Sequence, residues 1–227
     1  MQEEKFLNVL KSRMVDGIIY VSSDYATSNK LLADLSIPVV FIDRKIEKSG
    51  NMGSVQIDNY QAMKEVAEYI SKKGCKKIAY ISADIAVSPS RERYEGLMDG
   101  LKEAGIAFDK RLHYPGTFSV ETGQIGAMTL LQRNPAIDCI VCGNDLMAIG
   151  AMSICQKLGR KVPDDIKIMG FDDIYISKYL NPELTTVRQD AYEMGKQAAA
   201  MLIEHIEQKS PLKDIVLSHE IVERNTV

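Results

Sequence analysis

"KIMGFDDIYISKYLNPELTTVRQD" spans residues 167–190. An apolar run leads through Gly170 into Phe171, and two acids, Asp172 and Asp173, follow at once. The run IKIMG (166–170) is continuously apolar apart from one lysine, which suits a strand covered on both faces, as in a parallel sheet. The same stretch holds a second short run, TTVR (185–188), which ends in Gln189 and Asp190.

Outward from this stretch the pattern repeats. Strands are predicted at GIIYV (17–21), PVVFI (38–42), SVQI (54–57), KIAYI (77–81) and DCIVC (138–142), and DIVLSHEIVER (214–224) closes the chain as one or two strands. Helical stretches lie between them. NYQAMKEVAEYISKKG (59–74) carries Ala62, Val66, Ala67, Tyr69 and Ile70 at helical spacing and stops at Gly74. SRERYEGLMDGLKEAG (90–105) stops at Gly105 in the same way, DLMAIGAMSICQKLG (145–159) at Gly159, and the longest is DAYEMGKQAAAMLIEHIEQK (190–209). Alternation of this kind predicts βαβ units and an α/β fold with doubly wound parallel sheets. The strands outnumber those of one compact sheet, and breaks near Asp58 and Arg188 predict two lobes.

Composition narrows the function. Of 227 residues, 45% are apolar and 26% charged, with a formal charge of −3 and mixed signs throughout, so the chain is globular and has no basic stripe for nucleic acid. No apolar run is long enough to span a bilayer. MQEEKFLNVLKSRM, at the start, is charged and helical in pattern and lacks the apolar core of a signal peptide. Cys139 and Cys142 form a C-x-x-C, but in a strand residues three apart point to opposite faces. Together with Cys75 and Cys155 they read as buried free thiols in a reducing compartment, so the expected location is the cytoplasm. His113, His205 and His219 show no metal spacing, no phosphate loop or dinucleotide fingerprint is present, and GQIGA (123–127) lies within a helical pattern. No enzyme and no cofactor is expected.

Ligands of open parallel sheets bind beyond the carboxyl ends of the strands. The polar residues there are Ser22, Ser23 and Asp24; Asp43 and Arg44; Asp58 and Asn59; Ser82 and Asp84, followed by Arg91 and Arg93; Asn144 and Asp145; Asp172 and Asp173; and Gln189 and Asp190. Asp58, Asn59, Asp145 and Asp190 read as helix caps, and Asp173 as a turn residue. Asp172, Asn144, Arg93 and Gln189 converge from different strand ends. Carboxylate, amide and guanidinium together suit a neutral, polyhydroxylated or heterocyclic ligand. With no Trp in the chain, stacking on a ligand falls to Tyr or Phe, such as Phe171 or Tyr20.

At these residues the chain resembles the lactose-repressor family of transcription regulators. GFDD (170–173), NPELTTVRQD (181–190), CGNDLMAIGAM (142–152), SRERYEGLMDGLKEAGI (90–106), KKGCKKIAYIS (72–82) and RMVDGIIYV (13–21) follow the family's order over nearly the whole chain. The resemblance implies the fold of periplasmic sugar-binding proteins, two α/β lobes with the ligand in the cleft between them. The lobes would be residues 1–58 with 190–214, and 59–189 with 215–227. It implies effector contacts from Arg93, Asn144, Asp172 and Gln189, with Asp43 facing them from the other lobe; Ser22 lies at the right strand tip but matches no fixed family residue. The helix with Met147, Ile149, Met152 and Ile154 would form part of a homodimer surface. Family members begin with a DNA-reading helix-turn-helix, so the chain is expected to be a fragment, with an incomplete first lobe and operator binding only through that headpiece. The implied function is an effector-sensing domain, for a sugar or sugar phosphate before a purine. The alternative is a solute-binding protein of a transport system.

Overall fold

The computed structural model describes residues 9–10, 12–21, 37–44 and 51–227. Among them the strands are β1 (Ile18–Tyr20), β2 (Val39–Ile42), β3 (Met52–Ile57), β4 (Ile78–Ala83), β5 (His113–Gly116), β6 (Cys139–Cys142), β7 (Lys167–Asp172), β8 (Thr185–Arg188), β9 (Asp214–Leu217) and β10 (Glu220–Val222). The helices are α1 (Asn59–Lys72), α2 (Ser88–Glu103), α3 (Val120–Arg133), α4 (Asp145–Lys157) and α5 (Ala191–Gln208). They form two compact units: residues 1–57, 87–89 and 190–218, and residues 58–86, 90–189 and 219–227.

The first unit holds a parallel sheet in the order β1-β2-β3-β9. Val39, Val40, Phe41, Val55 and Ile57 are buried in it, as continuous apolar strands require. β9 corrects the expectation that residues 215–217 belong to the other lobe. Its Asp214 carboxylate accepts from the Ser54 hydroxyl at 2.8 Å, and its ladder to β3 keeps the chain in the first sheet as far as Leu217.

The second unit holds six strands in the order β10-β8-β7-β6-β4-β5, parallel except for β10. Side chains alternate across it. Ala79, Ile81, Ala83, Ile140, Cys142 and Ile168 face a core completed by α3 and α4, through Ala127, Leu130, Met147, Ala148 and Ala151. α3 and α4 can pack so closely because both carry glycine at the contact. A Cβ on Gly123 would sit 2.0 Å from the Met147 carbonyl oxygen, and one on Gly150 2.1 Å from that of Val120. This gives the glycines of the GQIGA stretch a packing role.

β5 was not foreseen. Its sequence, HYPG, has no apolar run, and Pro115 cannot donate to a ladder; it is tolerated because β5 is an edge strand. All four cysteines are free and buried. Among the described residues, no helix is long and apolar enough to cross a membrane.

Candidate functional site

The parallel strands of the second unit bring the ends of β4, β5, β6, β7 and β8 to one edge. β7 supplies the centre of it. Gly170 lies against α4, where a Cβ would meet Asp145 Oδ1 at 2.3 Å, so no side chain fits there. Asp172 and Asp173 then both take positive φ, 113° and 54°, a region that non-glycine residues seldom occupy. The bend is held by Asp173, whose carboxylate accepts from Arg188 Nε at 2.7 Å and Arg224 Nη2 at 2.6 Å. Asp173 is thus more than a turn residue: it ties the tip of β7 to β8 and to the C-terminal segment.

Asp172 remains partly exposed and accepts from Gln189 Nε2 at 2.6 Å. Its Oδ1 lies 3.6 Å from Arg93 Nη1. Arg93 is 2% exposed. Its Nε donates to Asn59 Oδ1 at 2.7 Å and its Nη1 to the Gly143 carbonyl at 2.8 Å. The guanidinium lies over the Phe171 ring, 3.7 Å from its centre. A buried charge requires such compensation, and here it receives a carboxylate, an amide, a carbonyl and a ring face. The structure therefore brings Arg93, Asp172, Gln189 and Phe171 together. Phe171 is fully buried with Arg93 across it, so the ring expected to stack on a ligand instead supports the guanidinium.

The helix caps differ by one position from expectation. Asp58 and Asp190 do cap, accepting from Gln61 N and Glu193 N. At α4 the cap is Asn144, whose Oδ1 accepts from Met147 N at 2.9 Å. That bond commits the oxygen of the amide and leaves Nδ2 as the end able to serve another partner. Asp145, expected as the cap, is buried instead. It accepts from Ser177 Oγ and Thr186 Oγ1, each at 2.6 Å, and from Ile174 N at 2.9 Å. Burial pushes its carboxyl above the usual range, and the hydroxyls partly counter this. Asn59, also expected as a cap, lies inside α1 and holds Arg93.

Asn59 is one functional candidate that the sequence reading missed; Tyr80 is another. Asn59 Nδ2, Tyr80 Oη and Gln189 Oε1 are buried without a hydrogen-bond partner. The two amides share a logic: one end of each is fixed on Arg93 or Asp172, and the other is unsatisfied. Tyr80 Oη lies beside Gly143, 3.5 Å from where a Cβ on that glycine would be. Burial drives the phenol pKa far above its ordinary value. Tyr80 also stacks on His113, with ring centres 5.6 Å apart and planes 14° apart. His113 Nε2 is 2.8 Å from Ser82 Oγ, whose own hydrogen reaches the Ala83 carbonyl, and Tyr94 closes on the imidazole at 4.9 Å. Burial lowers the His113 pKa.

The remaining expected residues lie elsewhere. Asp43 belongs to the first unit, directly after β2, with φ 53°. Ser22 is outside the described residues. Met147 is fully buried in the core between α3, α4 and the sheet, which removes it from any dimer surface. Ile149 and Met152 are partly exposed and line a groove of about 570 Å³ with Val162, Leu180 and Pro182.

Residues 67–227 match the model of the periplasmic binding protein-like domain. The transcriptional regulator RegA of Clostridium saccharobutylicum is 33% identical over 228 residues, 99% of this chain and 68% of the relative. The ribose operon repressor of Halalkalibacterium halodurans is 34% identical over 208 residues, 92% of this chain and 61% of the relative. The repressor PurR of Vibrio atlanticus is 33% identical over 230 residues, all of this chain and 68% of the relative. This chain thus spans between 61% and 68% of the length of these three proteins. Among solved structures, the regulator CcpA of Lactococcus lactis matches with a TM-score of 0.91 at 32% identity, covering 99% of this chain and 83% of its own. The complex of the regulator CelR with cellobiose matches at 0.92 and 25% identity, covering all of this chain and 70% of its own.

Proposed function

This chain belongs to the periplasmic binding protein-like family, among its lactose-repressor-type transcription regulators, and on that premise we propose that it senses a small-molecule effector at the carboxyl edge of the second unit's sheet. The observation that carries the reading is the assembly around Arg93. A buried guanidinium and a partly exposed Asp172 are fixed by Asn59, Gln189, Gly143 and Phe171, while Asn59 and Gln189 keep unsatisfied ends. Unsatisfied buried groups cost free energy. A ligand that satisfies them would recover it. Asn144, through Nδ2, adds a donor, and Asp43 and Ser22 are proposed contacts from the first unit.

A sugar leads among effector classes and a purine follows. Relatives include a ribose operon repressor and a structure bound to cellobiose, and another relative is named PurR. In the whole regulator, effector occupancy would bias the relative arrangement of the two units and so the affinity of a DNA-reading headpiece for its operator. The bias cannot exceed the effector's differential affinity for the two states. The proposal entails a cytoplasmic location, no catalysis, and a homodimer that uses Ile149 and Met152. The relatives are regulators, which favours this reading over a transport solute-binding protein.

The test is a thermal-shift screen of the chain against free sugars, nucleobases and nucleosides. A dose-dependent rise in unfolding temperature, lost in Asp172→Ala, is expected. A ligand that stabilises the wild type and Asp172→Ala equally would place the site elsewhere.

A further inference from the structure

The charges around Arg93 bear on what the effector can carry. This argument rests on the reading of that edge as the effector site. Arg93 is already balanced by Asp172 at 3.6 Å, and two of its donors are spent on Asn59 and Gly143. The next cations of the second unit at this edge are committed too. Arg188 is bound to Asp173 and Glu220, and Arg224 to Asp173. Arg91 is exposed and two residues from Arg93 on α2, a spacing that puts it on another face of the helix. Acids are plentiful, by contrast: Asp58, Asp84, Asp172 and Asp173 lie at the same edge. Helix N-termini could attract an anion; α1 is capped by the Asp58 carboxylate, α3 and α4 carry Glu121 and Asp145 in their first turns, and α2 has no acid in its first turn.

We propose that this edge selects an uncharged ligand bearing both hydrogen-bond donors and acceptors, a free sugar or nucleoside, and discriminates against the phosphorylated form of the same molecule. A phosphate ester brings a charge of about −1.5 to −2. Placed beside Asp172, it would compete with that carboxylate for Arg93, while Arg188 and Arg224 are already committed to acids. The unsatisfied groups suit hydroxyls instead. Asn59 Nδ2 offers donors, Gln189 Oε1 an acceptor, and Tyr80 Oη can act as either. A sugar hydroxyl, donor and acceptor at once, serves all three. Asn59 thereby becomes a further ligand-facing residue, with its orientation fixed by Arg93.

Calorimetric and thermal-shift titrations of the chain with matched pairs test this: ribose and ribose 5-phosphate, glucose and glucose 6-phosphate, adenosine and its 5′-monophosphate. The same titrations are run on Asp172→Asn, which removes the balancing charge and keeps the size. For the wild type, the uncharged member of any pair that binds is expected to bind at least about tenfold more tightly. In Asp172→Asn the preference is expected to move toward the phosphorylated member by at least about tenfold. Tighter or equal binding of the phosphorylated member by the wild type overturns the proposal, as does an unchanged preference in the variant. Binding of neither member of any pair would instead overturn the effector-site reading, and the proposal with it.

Discussion

The guanidinium of Arg93 lies 3.7 Å from the centre of the Phe171 ring, with its Nε on Asn59 and its Nη1 on Gly143. The ring, the amide and the carbonyl together set the plane of the guanidinium and hence the position of the charge that faces Asp172. Only a planar fork can make all of these contacts.

Arg93→Lys should therefore damage the site although it keeps the charge. An ammonium cannot serve Asn59 and Gly143 in the same geometry, and its loss of about 2–4 kcal/mol in stability is expected from hydrogen bonds to a charged group and the ring contact. Chemical denaturation measures the stability, and titration with a ligand from the screen should show at least about a tenfold loss of affinity. A lysine variant with wild-type stability and affinity would mean that the fork geometry is idle.

Asp145 should prove structural. Three donors, from Ile174, Ser177 and Thr186, converge on its carboxylate. Asp145→Ala strands all of them in a buried place and is expected to cost about 3–5 kcal/mol. Asp145→Asn, which turns an acceptor into a donor, should cost less, about 1–3 kcal/mol. Denaturation midpoints check both.

The close contact of α3 and α4 predicts a steric effect. Gly150→Ala puts a methyl group 2.1 Å from the Val120 carbonyl oxygen, and Gly123→Ala one 2.0 Å from that of Met147. Each should destabilise the second unit by about 1–3 kcal/mol or more, despite the higher helix propensity of alanine. A gain in unfolding temperature from either would contradict the packing.

Stability should also depend on His113. Burial between the Tyr80 and Tyr94 rings lowers its pKa below the ordinary 6.5. The unfolded chain then takes up the proton first. The contribution of His113 is fully present above its unfolded value and is lost as pH falls from there through the folded value. Unfolding temperatures measured between pH 7.5 and 5 should fall more steeply for the wild type than for His113→Gln.

At the proposed dimer surface the two partly exposed apolar residues of α4, Ile149 and Met152, separate from the buried Met147. Ile149→Lys and Met152→Lys should both shift sedimentation toward the monomer, with the larger fall in unfolding temperature for Met152→Lys, since Met152 also packs against the core. Met147→Ala should leave association intact and cost about 2–5 kcal/mol in stability, as core truncations do.

Much of the fold was legible because buried parallel strands are written as apolar runs, and the polar residues that end them are hard to mistake. Arg93, Asp172 and Gln189 were found in this way. What escaped depended on contacts made far along the chain. Asn59 looks like a cap beside Asp58, and only the packing of α1 against α2 turns it toward Arg93. Asn144 and Asp145 are adjacent acceptors at one helix start; which of them caps follows from Gly170, which lets Asp145 sink against β7. β5 carries proline and glycine in place of an apolar run, and its pairing with β4 is a property of the sheet edge. Phe171 is apolar and adjacent to the acids, so a ligand platform and a support for Arg93 look alike in sequence.

The most direct measurement is calorimetric titration of the stabilising ligand from the screen into the wild type and Asp172→Ala, with the unfolding temperature of each protein recorded without ligand. The account expects saturable binding to the wild type, no detectable binding to the variant, and a variant that unfolds several degrees lower, because the buried Arg93 loses its carboxylate, but is fully folded at the temperature of the titration. Undiminished affinity in a folded Asp172→Ala protein would contradict it.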